Sequence, residues 1–278
     1  MRDPLISTEE LAGLLKEPDL RLVDASWFMD GRDARAAWRE THIPGAVFFD
    51  IDAISDTTSV LPHMLPTPEA FARAVSDLGV ADTDHVVVYD QQGLFSAARV
   101  WWTFRVMGAL KVQVLDGGLP KWVAERRPVE SGSSPVSGAV FQARYRPSLV
   151  RDYEQIGREL GAGDQVLDAR PGGRFRGEAP EPRQGLKSGH MPGARSLPFG
   201  EVLNPDGTMK STAGLSAAFA AAGIDTSRPV TATCGSGVTA AILALALARL
   251  GQETGAVYDG AWAEWGSRSD AEIATGPA

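Results

Sequence analysis

The residues of this 278-residue chain able to do chemistry are few, and the first is its single cysteine, Cys234. It stands in Cys234-Gly235-Ser236-Gly237-Val238-Thr239, after the β-prone run Val230-Thr231-Ala232-Thr233. Behind it, Val238 to Leu250 reads as a helix closed by Gly251. A thiol between a strand's carboxyl end and a helix's amino end meets unpaired backbone N–H groups and a partial positive charge. Gly235 and Gly237 let the backbone curl so that successive N–H groups face inward as an anion nest. Such a nest favours the thiolate, the nucleophilic form of cysteine. The terminal sulfur of a persulfide is also an anion and would be held the same way. The competing reading is a small buried hydrophobe, a common fate of a free cysteine.

Two further groups of residues have the right chemistry. Gly173-Arg174-Phe175-Arg176-Gly177 and Pro182-Arg183 form an arginine-bearing loop after the strand-like Val166-Leu167-Asp168. A planar guanidinium recognises a carboxylate through two parallel hydrogen bonds. The competing reading pairs these arginines with Glu178 or Glu181 on a solvated loop. Asp50-Ile51-Asp52 and Pro62-His63-Met64-Leu65-Pro66 supply a carboxylate and an imidazole, a pair suited to proton exchange near neutral pH. His63 can equally be a loop residue held by backbone bonds between two prolines. His42 and His190 recur in matching segments, while only one cysteine exists, so both read as structural. No metal-ligand spacing and no phosphate-binding Gly-x-x-x-x-Gly-Lys pattern occurs.

The elements that must position these residues come in two copies. Leu22-Val23-Asp24-Ala25 is echoed by Val166-Leu167-Asp168-Ala169, and His42-Ile43-Pro44-Gly45-Ala46 by His190-Met191-Pro192-Gly193-Ala194. Asp116-Gly117-Gly118 with Trp122 is echoed by Asp259-Gly260-Ala261 with Trp265. Three matches in one order, roughly 145 residues apart, mean duplicated domains rather than a short-period array. Domains are expected at 1–130 and 149–278. The segment 131–148, with Ser131-Gly132-Ser133-Ser134-Pro135, has linker composition. Strand runs such as Leu20 to Val23, His85 to Tyr89 and Val112 to Leu115 alternate with helical ones such as Phe95 to Met107. That alternation predicts an α/β fold, each domain a mainly parallel sheet flanked by helices, with the site at the strands' carboxyl ends. Ser7 with Glu10 forms a capping box, and Pro68 suits a helix's first turn. Trp101-Trp102 and the stretch Ala240 to Ala248 read as core.

The bulk numbers narrow the partners. The chain is 44% hydrophobic and carries a formal net charge of −8, which disfavours nucleic acid and anionic membranes. Its nine-residue apolar stretch Ala240 to Ala248 is far short of the roughly 20 residues a membrane span needs. Met1-Arg2-Asp3-Pro4-Leu5 is unlike a signal peptide, and one cysteine permits no internal disulfide, so a cytoplasmic location is expected.

Cys234-Gly235-Ser236-Gly237-Val238-Thr239 resembles the active-site loop of the 3-mercaptopyruvate sulfurtransferases of the tandem rhodanese family. The repeated His-Ile/Met-Pro-Gly segments and Asp259-Gly260 with Trp265 resemble that family's signatures, so the likeness covers nearly the whole chain. It implies two rhodanese-like domains, the first non-catalytic because Asp90 stands where Cys234 stands in the second. It implies sulfur transfer from 3-mercaptopyruvate through a persulfide on Cys234, with no cofactor, to an acceptor such as reduced thioredoxin or cyanide. Arg174 and Arg183 would bind the substrate with the loop residues Gly235, Gly237, Val238 and Thr239, while Arg176 faces elsewhere. Asp52, His63 and Ser236 would relay protons. Thiosulfate enzymes of the family carry two basic residues inside the loop, where this chain has Gly235 and Ser236. Three rivals stay in view: thiosulfate as preferred donor, a non-catalytic sulfur carrier or binding module, and a phosphatase. The last lacks the arginine that closes a phosphatase loop, since none follows Cys234 before Arg249.

Overall fold

The computed structural model describes residues 3–133, 136–253 and 255–278. These divide into two compact units. The first takes in the described residues of Met1–Thr57, Leu65–Arg146 and Pro205–Met209; the second takes in those of Thr58–Met64, Pro147–Asn204 and Lys210–Ala278.

The first unit is built on β1 (Leu5–Ile6), β2 (Leu20–Asp24), β3 (Val47–Phe48), β4 (His85–Tyr89) and β5 (Lys111–Leu115), in the spatial order β1-β5-β4-β2-β3. The second uses β6 (Val150–Arg151), β7 (Gln165–Asp168), β8 (Arg195–Ser196), β9 (Val230–Thr233) and β10 (Ala256–Tyr258), in the order β6-β10-β9-β7-β8. All pairings within these two sheets are parallel, and the two orders are the same order. The duplication read from sequence is thus a duplication of topology. In each sheet the central strand, β4 or β9, is buried along its whole length and ends one residue before Asp90 or Cys234. A strand covered on both faces reads as an unbroken run of β-branched residues, as His85-Val86-Val87-Val88-Tyr89 does.

Helices cover both sheets: α1 (Thr8–Leu14), α2 (Ala34–Glu40), α3 (Pro68–Asp77), α4 (Ala97–Val106) and α5 (Gly118–Ala124) in the first unit. In the second they are α6 (Tyr153–Ala162), α7 (Gly172–Phe175), α8 (Thr212–Ala221), α9 (Ala240–Arg249) and α10 (Ala261–Trp265). Their starts follow the expected chemistry. Ser7 and Glu10 close the capping box of α1, Asp152 and Gln155 do the same for α6, and Pro68 sits in the first turn of α3 behind the cap Thr67. Trp101 and Trp102 of α4 are core residues, and α9 is buried from Ala240 to Ala248, as a helix apolar on every face must be. His42 and His190 are buried at equivalent places, the first bonded to Trp38 and Glu130, the second to the Phe175 carbonyl.

Three sequence expectations are corrected. The segment 131–148 is not a free linker. Phe141 is buried against Phe71 and Phe104, and Arg144 and Arg146 donate backbone bonds to Met107 and Val106, so residues as far as Arg146 belong to the first unit. The Ser134-Pro135 part of that segment lies outside the described residues. The stretch carrying His63, expected in the first domain, groups with the second unit. Finally, α9 starts at Ala240 rather than Val238, and α4 at Ala97 rather than Phe95. The backbone spends those residues on the loop that turns from strand to helix.

Candidate active site

β9 delivers Cys234 to the carboxyl edge of its sheet, and α9 leaves from Ala240, with the loop between them. Gly237 has φ of 77°, a left-handed conformation that costs a glycine little. Thr239 precedes α9 without a side-chain cap bond, and in the first turn the N–H groups of Ala241 and Ile242 donate back to the Val238 and Thr239 carbonyls. Val238 is buried and Thr239 partly so.

Cys234 is only 2% exposed, and two guanidinium groups approach the residue that follows it. A Cβ placed on Gly235 would lie 3.2 Å from Arg174 Nη2 and 3.9 Å from Arg183 Nη1. Both sequence-predicted arginines therefore reach the loop. Arg174 leaves α7 with its side chain 17% exposed, and its Nε and Nη2 donate to the buried carboxylate of Glu181. Arg176 points elsewhere and pairs with Glu178 on the surface. The rival reading, an arginine on Glu178 or Glu181, thus describes both, with different meanings. On Arg176 it is a solvated pair, worth little. On Arg174 the partner is buried, which fixes the guanidinium beside the loop.

Sequence reasoning missed the residue behind this arrangement. Arg170 is fully buried, donates through Nε and Nη2 to Asp168 and through Nη1 to Glu181 at 2.8 Å, and gives a further bond to the Gly189 carbonyl. The indole of Trp262 lies under its guanidinium, 4.1 Å from the ring centre. Burial pulls its pKa down, but Asp168 and Glu181 more than offset that, and the field of Cys234 adds to them, so the cation is held above its ordinary value. Arg170 therefore does two things. It neutralises the buried Asp168, and it shares Glu181 with Arg174. One signal could have found it: the repeats agree through Asp24-Ala25 and Asp168-Ala169, then part at Ser26 and Arg170.

Of the three proposed relay residues, the structure brings two together. His63 Nδ1 lies 3.1 Å from Ser236 Oγ, with both side chains buried. His63 has φ of 60°, a left-handed conformation that costs a non-glycine residue of order 1 kcal/mol and is held by its surroundings. Asp52 belongs to the first unit, where it accepts from the Trp27 indole N–H at 3.2 Å. Among the described residues no group of three or more His, Cys, Asp or Glu side chains is placed to hold a metal ion, and no helix is long and apolar enough to cross a membrane.

Twin parallel sheets, with a thiol at the edge of one and a carboxylate at the matching edge of the other, define a duplicated α/β protein with a single cysteine. A model of the rhodanese-like domain matches residues 7–125 and again 152–268, so the chain belongs to the rhodanese-like domain family. It is 46% identical over 277 residues to the 3-mercaptopyruvate sulfurtransferase of Rattus norvegicus, covering 96% of this chain and 93% of that one. It is 43% identical to the mitochondrial thiosulfate/3-mercaptopyruvate sulfurtransferase 1 of Arabidopsis thaliana, covering 98% of this chain and 78% of the relative. The crystal structure of the 3-mercaptopyruvate sulfotransferase SseA from Escherichia coli superposes with a TM-score of 0.86 at 39% identity, over 94% of this chain and 99% of that one.

Proposed function

We propose that this chain moves sulfur from 3-mercaptopyruvate to a thiol acceptor or to cyanide, through a persulfide on Cys234. The thiolate attacks the substrate's sulfur. The carbon–sulfur bond breaks with its electron pair going to carbon, and pyruvate departs as its enolate while a sulfur–sulfur bond forms on Cys234. The enolate then takes a proton at its methylene carbon. A thiolate acceptor, such as that of reduced thioredoxin, or cyanide attacks the terminal sulfur and releases the Cys234 thiolate. This is covalent catalysis in two half-reactions, and ping-pong kinetics follow for small acceptors.

The observation that carries this reading is the pairing of a guanidinium with an uncharged loop. Arg174, held by Glu181, lies against Gly235 beside the thiol. It supports recognition of one carboxylate, with Arg183 next to it. Gly235 and Ser236 add no charge for a second anionic group, which favours a monoanionic keto acid over dianionic thiosulfate. Ser236 and His63 are the proton handlers in this scheme, since an imidazole at hydrogen-bond distance from a hydroxyl can pass a proton to the enolate. Asp52 enters as their third member on resemblance alone, and Asp52→Asn, read as kcat against KM, tests it. The cytoplasm, a reducing compartment, suits a working free thiol.

The test is kcat/KM for 3-mercaptopyruvate and for thiosulfate, on the wild-type protein and on Cys234→Ser, with intact-protein mass spectrometry after donor alone. The keto acid is expected to be the better donor, and a single mass gain of about 32 Da is expected on Cys234 and lost on adding thiol. A thiosulfate preference overturns the donor; no mass gain with either donor overturns the enzyme.

A further inference from the structure

Opposite α9, the Cys234 loop is held by a second element. Trp262 N–H donates to the Cys234 carbonyl at 2.9 Å, and Ala263 N–H to the Gly235 carbonyl at 3.0 Å. Both donors lie in the first turn of α10, where N–H groups have no partner within their own helix. Ala261 ahead of them has φ of 51°, so the chain adopts a left-handed residue in order to present that turn. In a trans peptide the C=O and the following N–H point opposite ways, and no cis peptide occurs among the described residues. Drawing the Cys234 and Gly235 carbonyls toward α10 therefore turns the N–H groups of Gly235 and Ser236 away from it, to the inner side of the loop.

The first unit shows what is missing when this hold is halved. There Leu119 N–H donates to the Asp90 carbonyl at 3.0 Å, matching Trp262. The residue matching Ala263 is Pro120, which has no N–H to give. That loop has another organiser, since the Asp90 carboxylate accepts the N–H groups of Gln92 at 2.8 Å, Phe95 at 2.7 Å and Ala97 at 2.9 Å. A nest with a resident anion is shaped by its occupant. A nest that must receive sulfur and give it up again has to be shaped from outside.

We propose that the backbone N–H of Ala263 is a positioning group for the Cys234 loop, setting the peptide planes whose N–H groups stabilise the thiolate and the persulfide. The assignment rests on Cys234 being the sulfur-carrying nucleophile, and its test reads the loop without needing any sulfur donor. Ala263→Pro places there the residue that the first unit already accommodates, and Ala263→Gly retains the N–H. The rate of Cys234 alkylation by iodoacetamide is unambiguous in a chain with one cysteine. Near pH 7, alkylation of Ala263→Pro is expected to fall about tenfold. Near pH 10, above the range in which an ordinary thiol ionises, it is expected within about twofold of wild type. With 3-mercaptopyruvate, kcat is expected to fall about tenfold while KM moves less than about threefold, and Ala263→Gly is expected to match wild type in every measurement. A folded Ala263→Pro with wild-type alkylation near pH 7 overturns the proposal, as does an Ala263→Gly as impaired as the proline variant. Should circular dichroism show that the proline variant does not fold, replacing the Ala263 amide by an ester in semisynthetic protein removes the same N–H alone. Wild-type alkylation of that ester overturns the proposal, and a loss near pH 7 that disappears near pH 10 upholds it. If wild-type protein carries no sulfur from any donor, the functional reading fails while the alkylation contrast is still read on its own terms.

Discussion

The Asp90 and Cys234 loops are one design put to opposite uses. Both follow the central strand of a five-stranded parallel sheet, both lead into a helix buried along nearly its whole length, and both give a carbonyl to the helix that follows the last strand. In the first, the side chain at the strand's end fills the nest, and the Asp90 carboxylate caps α4 by accepting the Ala97 N–H. In the second, the shorter side chain of Cys234 stands there, and Thr239 makes no side-chain cap bond to α9. The charge behind each loop differs in step. Ser26 N–H bonds Asp24 at 2.9 Å and Arg170 N–H bonds Asp168 at 2.9 Å, so the same backbone turn recurs, but only Arg170 brings a cation to its acid. Asp24 is left as a buried carboxylate facing another, and burial, with Asp90 adding to it, pushes its pKa up to about 6 against the Ser26 bonds. The two loops thus differ in the side chain at the strand's end and in the charge set against the aspartate behind it.

The comparison is most sharply tested by moving the nucleophile. Cys234→Ser is expected to lower sulfur transfer by roughly a thousandfold or more. Asp90→Cys added to it is expected to restore none, and a mass gain of about 32 Da on that second cysteine would break the argument. Next comes Arg170→Ser, which gives the second unit the first unit's residue. Leaving Asp168 and Glu181 buried without their shared cation is expected to cost about 3–5 kcal/mol, measured by denaturant unfolding. The surviving folded protein is expected to show a raised KM for the keto acid, because Glu181 no longer has a fixed place from which to hold Arg174. Gly118→Ala is a smaller change. Ala261 occupies this place in the second unit, but a Cβ on Gly118 would sit 2.5 Å from the Asp90 carbonyl and 2.6 Å from that of Gly93. A loss of about 2–3 kcal/mol is expected, whereas Ala261→Gly is expected to change stability by less than about 1 kcal/mol.

The last test concerns Asp24, and its effect depends on pH. An acid whose pKa is raised by folding binds its proton more tightly in the native state, so its stabilising share is complete below the unfolded value of 3.8 and is lost as pH rises toward about 6. Above that the buried charge costs at most roughly 3 kcal/mol. Asp24→Asn is therefore expected to raise the melting temperature by a few degrees at pH 8 and to leave it nearly unchanged at pH 4. An equal change at both would refute the assignment.

Much of this was legible in the residues. The repeated motifs announced the duplication, and Val86-Val87-Val88 and Val230-Thr231-Ala232-Thr233 gave the two central strands because buried parallel strands have little choice of composition. Cys234 was placed between a strand and a glycine-bearing turn, where the structure has it. Arg170 was hidden because an arginine two residues from an aspartate looks like any surface pair until burial is known. Phe141 was hidden by the Ser-Gly-Pro context around it, which sets local stiffness but not what a distant aromatic packs against. His63 was noticed, yet its membership of the second unit follows from tertiary contacts that no local pattern encodes.

The crowding over Gly235 bears on how such a protein can change its diet. A side chain there must displace the tip of Arg174, only 3.2 Å from where its first carbon would stand, and Arg174 is tied down by Glu181. A cation placed at position 235 therefore works against the tie between Arg174 and Glu181, and loosening that tie makes room for it. The order of mutations is constrained, with the anchor changing first and the loop second.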